Sequence, residues 1–517
     1  MRKLPNFRIL SAQPPRATPN SKRAAKLKLR RCLFLRQRRT LEGNLKAFVG
    51  LAWPILEPTT QLQWNWHLDL LCEYLTAAKN GECRRLIVNV PPRSMKSLLC
   101  TVFYPVWRWC ACPQRRFMFV SYADELSGDH SVLRRKVLTS NFYRLRWGTR
   151  VKLSKDQNEK TYYENTRRGS MYSTSIAGSA TGKGCDELIV DDPINAKKAF
   201  SDSEREATNR NFDMTFRSRL NDPATGTIVV IMQRLHELDL TGHLLTREPG
   251  TWVHLKLPAE AEQDETWRVP GSERVFERKA GTLLWPGRFS HEVLAGLKTA
   301  MGSWAYAGQY QQNPAPLAGG IIQREWIQYY RELPSKAEPD ATGYRSKGQW
   351  VQSWDCSFKD TRESDYVVGQ VWVRMNAACY LVDQVRERMD FVRTKQAIKA
   401  MTLKYPQATA KLIEDKANGP AVIASLRSEI DGIIPIDPKD SKSGRLHAVS
   451  PLFEAGNVFL PEGKPWIGDF VEELTRFPNA ANDDQVDACT QALLRLRQQS
   501  SGILEFYRRE AERLRGS

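Results

Sequence analysis

Between residues 64 and 240 the chain alternates short apolar runs with longer stretches of helical spacing. Trp64 to Ala78 repeats its apolar residues at helical intervals and predicts a helix, which leads into an apolar strand over Arg85–Val90. Further strands are predicted at Arg116–Tyr122, Leu188–Val190 and Thr227–Met232. Helical stretches separate them, so a parallel α/β sheet is expected. Residues 250–330 are rich in Trp, Pro and Gly and show no clear period; Leu284–Arg288 and Gln309–Pro314 read as loops or short elements. Leu333–Gly348 is polar and turn-rich, the clearest linker. A second α/β pattern comes next, with strands at Trp350–Trp354, Tyr366–Met375 and Ala378–Val385, and then at Ala410–Ile413 and Ile433–Ile436. Helices at Phe391–Tyr405 and Ala421–Ile430 fall between the later strands. There are no internal repeats, and Ile503–Arg515 reads as a charged helical tail.

This pattern divides the chain into an arm (1–45), a first α/β domain (46–332), a linker (333–348), a second α/β domain (349–498) and a tail (499–517). Charge sharpens the first boundary. The net charge is +19, and the first 40 residues hold thirteen Lys or Arg and no acid, which leaves 19 − 13 = +6 for the rest. With Pro5, Pro14, Pro15 and Pro19 inside it, the arm is expected to be largely disordered, and a polyanion is its natural partner. It lacks the apolar core of a signal peptide, and no run approaches the ~20 residues of a membrane span, so no membrane role is expected. Ten cysteines are scattered through apolar contexts; only Cys110 and Cys112 lie close, without a second pair or a His partner nearby. Buried free thiols in a reducing cytoplasm fit better than zinc.

The run Arg85 to Ser97 reads as a buried strand, a Pro-Pro-Arg loop and a Lys-Ser pair opening a helix at Leu98. A full P-loop wants glycines where Val90 and Met95 stand, so only Lys96 and Ser97 match. The strand–loop–helix context restores the chemistry, because backbone N–H groups and a helix N-terminus then face phosphates. In this reading Pro92, Arg93, Ser94 and Met95 shape the loop and Arg93 adds charge at the γ-phosphate. Lys96 neutralises the β/γ-phosphates and Ser97 holds Mg²⁺. Glu187–Pro193 is a second apolar strand ending in two acids. Asp191 is expected to bind Mg²⁺ through water and Asp192 to orient the attacking water. Gly178–Gly184 is a flexible cationic loop, and Gln233–Asp239 comes after another buried strand, where a γ-phosphate sensor belongs.

Hydrolysis of a phosphodiester by two metals needs three or four carboxylates around ions ~3.5–4 Å apart. Three consecutive strands followed by alternating helix and strand is the order of an RNase H-like sheet. On it Asp355 and Glu414 each end a strand, with Asp415 beside Glu414. Asp484 and Asp487 share one face of a helix, with Asp483 at its cap. Any one of these acids alone would read as an ordinary turn or cap residue. Lys442 and Arg445, within Asp440–Arg445, are expected beside the site.

In this order, the segments Pro91–Ser97, Leu188–Pro193, Gln233–Asp239 with Gly242, and the downstream acids resemble the large terminase subunit of tailed bacteriophages, over roughly residues 60–495. The resemblance implies an α/β chain with an N-terminal P-loop (RecA/ASCE-like) ATPase domain and a C-terminal RNase H-like nuclease domain. It implies ATP and Mg²⁺ as cofactors, with Mn²⁺ an alternative at the nuclease site. It assigns Asp355, Glu414 and the Asp484/Asp487 pair to the nuclease metals, the choice within that pair staying open and Asp365 a candidate accessory ligand. Terminase P-loops are known to deviate and to carry an extra arginine, as Arg93 does here. The implied partners are double-stranded DNA, a portal protein, a small terminase subunit and further copies in a ring, expected to be a pentamer on the procapsid in the host cytoplasm. The rivals are a capsid-independent ATPase–nuclease of repair or restriction and a catalytically dead DNA-binding scaffold.

Overall fold

A computed structural model describes residues 34–314, 320–334, 348–356, 366–416, 418–480 and 482–497. Most of the arm, most of the linker, Asp365 and the tail lie outside them. The apolar runs of the first half form an eight-stranded sheet of β1 (Arg85–Asn89), β2 (Phe117–Ser121), β3 (Leu153–Asn158), β4 (Tyr162–Asn165), β5 (Ser170–Ser175), β6 (Glu187–Asp191), β7 (Thr227–Met232) and β8 (Val253–Lys256). Their order is β3-β4-β5-β2-β6-β7-β1-β8. The strands from β5 to β8 pair in parallel, and β3 and β4 extend the sheet antiparallel. Strands β2, β6 and β7 are buried throughout because helices cover both faces, so no polar alternation is needed. One face packs on helices Leu45–Leu56 and Trp66–Asn80, the other on Phe212, Phe216, Leu240 and Leu244. One strand, β7, separates the strand leading to Lys96 from the strand ending in Asp191. That is the order of a RecA/ASCE-type P-loop sheet. A small antiparallel ribbon comes next in sequence, β9 (Glu265–Arg268) with β10 (Val275–Arg278).

The second sheet is built from β11 (Gln328–Tyr330), β12 (Gln349–Asp355), β13 (Val367–Met375), β14 (Ala378–Glu387), β15 (Ala410–Glu414), β16 (Ile433–Ile436) and β17 (Val458–Pro461). Its order is β11-β17-β14-β13-β12-β15-β16. Strands β12, β13 and β14 run as an antiparallel meander, and β15 and β16 add parallel to β12. This is the RNase H-like arrangement, extended at the β14 edge by β17 and β11. Strand β11 precedes the Leu333–Gly348 segment in sequence and yet pairs with β17, so the chain joins the second sheet before that segment begins.

The two units touch. Trp304 of the first stacks on His447 of the second at 4.3 Å between centroids, with Phe200 4.5 Å from His447. Ser303 donates its backbone N–H to Glu454 at 2.9 Å.

Candidate active sites

The first site lies where β1 and β6 end. The chain leaves β1 through Pro91 and Pro92 and enters a helix at Lys96. The first turn of a helix has N–H groups without intrahelical partners, which suits an anion. Where a P-loop carries glycine, Met95 adopts a left-handed backbone, φ 64°, and Arg93 does the same at φ 63°. For non-glycine residues this conformation costs on the order of 1–2 kcal/mol each. The loop therefore takes a strained course with no glycine. Leu98–Phe103 is a π-helical segment, a distortion that often accompanies functional sites.

Lys96 is buried, and its Nζ lies 2.8 Å from Asp192 Oδ1. Ser97 Oγ donates to Asp191 Oδ1 at 3.0 Å, and Thr101 Oγ1 donates to Asp191 Oδ2 at 2.7 Å. Asp192 also has a left-handed backbone, φ 43°, and accepts from the Gln233 N–H at 3.3 Å. The side-chain Oε1 of Gln233 is buried with no hydrogen-bond partner. Burying such an acceptor is costly unless something donates to it. Burial raises the pKa of Asp191, and nearby His130 opposes it, its Nδ1 3.6 Å from Asp191 Oδ2. Arg93 is exposed on the loop. Burial raises the pKa of the hydroxyl of Tyr310, at the end of the helix Ser303–Gln309, and the nearby Arg93 charge opposes the rise. The segment from Gln233 closes on Asp239, whose carboxylate accepts from Arg234 Nε, Leu235 N and Gly242 N at 3.0–3.1 Å. A Cβ on Gly242 would lie 1.7 Å from the Glu237 carbonyl oxygen, so only glycine allows this closure.

The second site lies where β12 and β15 end. Trp354 registers with Ile413 across the parallel pair, so the next residues, Asp355 and Glu414, emerge side by side. Gly419 lets the next helix start against this strand end, since a Cβ there would fall 1.8 Å from the Glu414 carbonyl oxygen. The helix over residues 484–497 supplies Asp487. Ligand-capable atoms of Asp355, Glu414 and Asp487 all lie within 4.8 Å of one another. Asp484, one turn earlier, is not among the three. Lys442 and Arg445 stand on the first turns of the helix Lys442–Glu454. Lys442 Nζ contacts Asp487 Oδ2 at 2.8 Å and Asp483 Oδ1 at 2.6 Å. Arg445 Nη2 donates to Asp487 Oδ1 at 2.5 Å, and its Nη1 lies 3.7 Å from Glu414 Oε2. Burial raises the pKa of both Glu414 and Asp487, with Arg445 the main opposing charge at each.

Sequence reasoning missed the supports. Thr101 stands one helical turn beyond Ser97, a spacing that could have found it. His130 and Arg134, on the helix Asp124–Thr139, carried no such signal. Arg134 is fully buried, donating to the Thr101 carbonyl at 2.9 Å and to Ser173 Oγ at 2.6 Å. Glu473 accepts the backbone N–H groups of Gln485 at 2.7 Å and Val486 at 3.2 Å, capping the helix that presents Asp487.

Among curated proteins none matches this chain. The chain is similar to the solved large terminase of a thermophilic bacteriophage in complex with ATP-gamma-S, at 12% identity and TM-score 0.48, covering 81% of this chain and 97% of that one. It is also similar to the large terminase nuclease of thermophilic phage G20c with bound magnesium, at 16% identity and TM-score 0.26, covering 34% and 98%. Residues 352–496, the stretch that holds Asp355, Glu414 and Asp487, match the family model of the terminase RNaseH-like domain.

Proposed function

We propose that this chain is a phage large terminase, an ATP-driven double-stranded DNA translocase with a metal-dependent endonuclease on the same polypeptide. The observation that carries the reading is the convergence of Asp355, Glu414 and Asp487 at one end of an RNase H-like sheet. It occurs in a chain whose other sheet brings Lys96, Ser97, Asp191 and Asp192 together at a strand-to-helix loop. The motor falls to residues 46–332 and the nuclease to 349–498, with β11 contributed to the second sheet.

In the motor, Lys96 grips the β/γ-phosphates, with Pro92, Arg93, Ser94 and Met95 shaping the loop around them. A phosphate that draws Lys96 away also releases its partner Asp192, whose carboxylate then orients the attacking water. Ser97 and Asp191 hold the magnesium of ATP, with Thr101 fixing the Asp191 carboxylate. Gln233, hydrogen-bonded to Asp192 through its N–H, senses the γ-phosphate by donating from its side-chain NH2, while its unpartnered Oε1 accepts from a water.

In the nuclease, Asp355, Glu414 and Asp487 are the metal ligands. The donor set fits, since burial raises the pKa of Glu414 and Asp487, and carboxylates so placed gain most from a cation that neutralises them. Divalent ions there supply an activated water and stabilise the leaving oxygen. Lys442 and Arg445, which neutralise Asp487 in this structure, are placed to turn towards the DNA phosphates. Within the helix pair we assign the ligand role to Asp487 and a supporting role to Asp484. The proposed partners are a portal protein, a small terminase subunit and four further copies in a ring on the procapsid, in the host cytoplasm.

The test is ATP turnover by the purified chain with DNA, with and without purified empty capsids bearing their portal. DNA-stimulated turnover that rises further with capsids is expected. Turnover and cutting indifferent to capsids would favour a repair or restriction enzyme, and no turnover at all would favour a scaffold.

A further inference from the structure

The strained loop at Lys96 is held from behind by a residue that no motif contains. His67 is fully buried on the first turn of the helix Trp66–Asn80, against the ring of Trp285 at 5.1 Å. Its Nε2 lies 3.2 Å from the carbonyl oxygen of Ser94. Ser94 is the residue between Arg93 and Met95, the two left-handed positions of the loop. Its hydroxyl donates to the Pro91 carbonyl at 2.6 Å, so it is tied on both sides.

The proton on His67 can be placed. Asn65 Nδ2 donates to the Leu284 carbonyl at 2.8 Å, which fixes the amide orientation. The same Nδ2 lies 2.6 Å from His67 Nδ1. Nδ1 therefore accepts, and Nε2 carries the hydrogen that Ser94 receives. Burial holds the ring neutral by pushing its pKa down to about 4, so this tautomer persists at neutral pH. Asn65 sits at the N-cap of its helix but makes no capping bond there, its amide serving the imidazole instead. An Asn in that position ordinarily caps.

We infer that His67 is a positioning residue for ATP binding: it clamps the Ser94 carbonyl and so keeps a glycine-free phosphate loop in the left-handed course that exposes its N–H groups to phosphate. This rests on the ATP-site reading above. In an ordinary P-loop glycine adopts the left-handed conformation at little cost. Here Met95 adopts it under constraint, and a buried neutral imidazole is a donor that supplies the constraint without adding charge beside Lys96. Asn65 orients the imidazole, and Trp285 walls it from solvent.

The test uses the full chain and three substitutions, reading KM for ATP, kcat, melting temperature and metal-dependent plasmid cleavage. His67→Phe keeps the ring volume and removes the donor; it should raise KM about tenfold, the effect of one lost buried hydrogen bond, with a smaller change in kcat. His67→Gln keeps an amide N–H near the place of Nε2 and should restore much of the affinity. His67→Phe combined with Met95→Gly should also recover it, because glycine needs no clamp to hold φ 64°. Cleavage should stay at the parent level in all three, reporting an intact second domain. An unchanged KM in His67→Phe overturns the inference. So does a raised KM that neither Gln nor Met95→Gly relieves, since His67 would then be packing alone. A parent chain that binds no ATP would instead refute the ATP-site reading itself.

Discussion

At the first site two carboxylates adjacent in sequence, Asp191 and Asp192, are met by a lysine and two hydroxyls that one loop and helix deliver. At the second, three carboxylates from two strands and a distant helix are brought together, and two cations from another helix neutralise them. The first is a local construction, in which strand, loop and helix succeed one another and the sheet adds one more strand end. The second exists only once the whole domain has folded. The difference sets what each should tolerate. The first should fail when a charge is removed and be less sensitive to distant packing; the second should fail on both counts.

The most damaging break expected at the first site is Lys96→Ala. The buried ammonium is the only lysine contacting the acid pair among the described residues, and ATP turnover should fall about 100-fold or more. Plasmid cleavage in Mg²⁺ or Mn²⁺ by the same chain should persist. Turnover at the parent rate would detach Lys96 from the phosphates.

At the second site, Asp355→Asn, Glu414→Gln and Asp487→Asn should each take cleavage to background while DNA-stimulated ATP hydrolysis continues. Asp484→Asn should be milder, because its carboxylate is not in the converging group. Equal intolerance at 484 and 487 would mean that both acids reach the metals.

A support should matter next. Glu473→Gln keeps the shape but turns one acceptor into a donor that meets Gln485 Nε2, which now donates to it at 2.7 Å. It also leaves Arg386, 3.2 Å away, without its carboxylate. Cleavage should drop about 10–100-fold, the range for partners that orient ligands, with ATP turnover unchanged. Cleavage within twofold of the parent would show that the helix over 484–497 holds Asp487 unaided.

This contrast also explains which features could be read in advance. Strands β1, β6 and β7 announce themselves by their central aliphatic runs, and Lys96, Ser97 and Asp191 lie at or just beyond their ends. The meander and parallel additions of the second sheet were legible for the same reason. Strand β3, Leu-Ser-Lys-Asp-Gln-Asn, carries no apolar alternation and forms because an antiparallel neighbour is available. The helix Lys442–Glu454 opens with Ser441 as its cap and contains Gly444 and Pro451, so its sequence shows no helical period over Asp440–Arg445. That stretch is the helix end that delivers Lys442 and Arg445 to the acids. His67, His130 and Glu473 act across gaps in sequence that no spacing rule spans.

The smallest expected effect lies between the two sites. Segments leaving β6 and β7 carry Phe200 and His236, which surround Trp304 at 5.2 and 6.3 Å. Trp304 stacks on His447 at 4.3 Å, and His447 belongs to the same helix as Lys442 and Arg445. Burial pushes the His447 pKa down to about 3, with His236 adding to the shift, so the stack is neutral ring on neutral ring. Such a contact is worth about 0.5–1.5 kcal/mol beyond burial. Trp304→Leu should therefore leave ATP turnover at the parent level and lower cleavage only slightly, by loosening the helix that serves the second site. Hydrogen exchange along residues 442–454 should quicken in the variant. It should also respond less to a non-hydrolysable ATP analogue than it does in the parent. Because no charge is involved, the difference should be the same at pH 6 and pH 8. Parent-like exchange in the variant, with and without the analogue, would show that the two sites share a polypeptide but no mechanical link through Trp304.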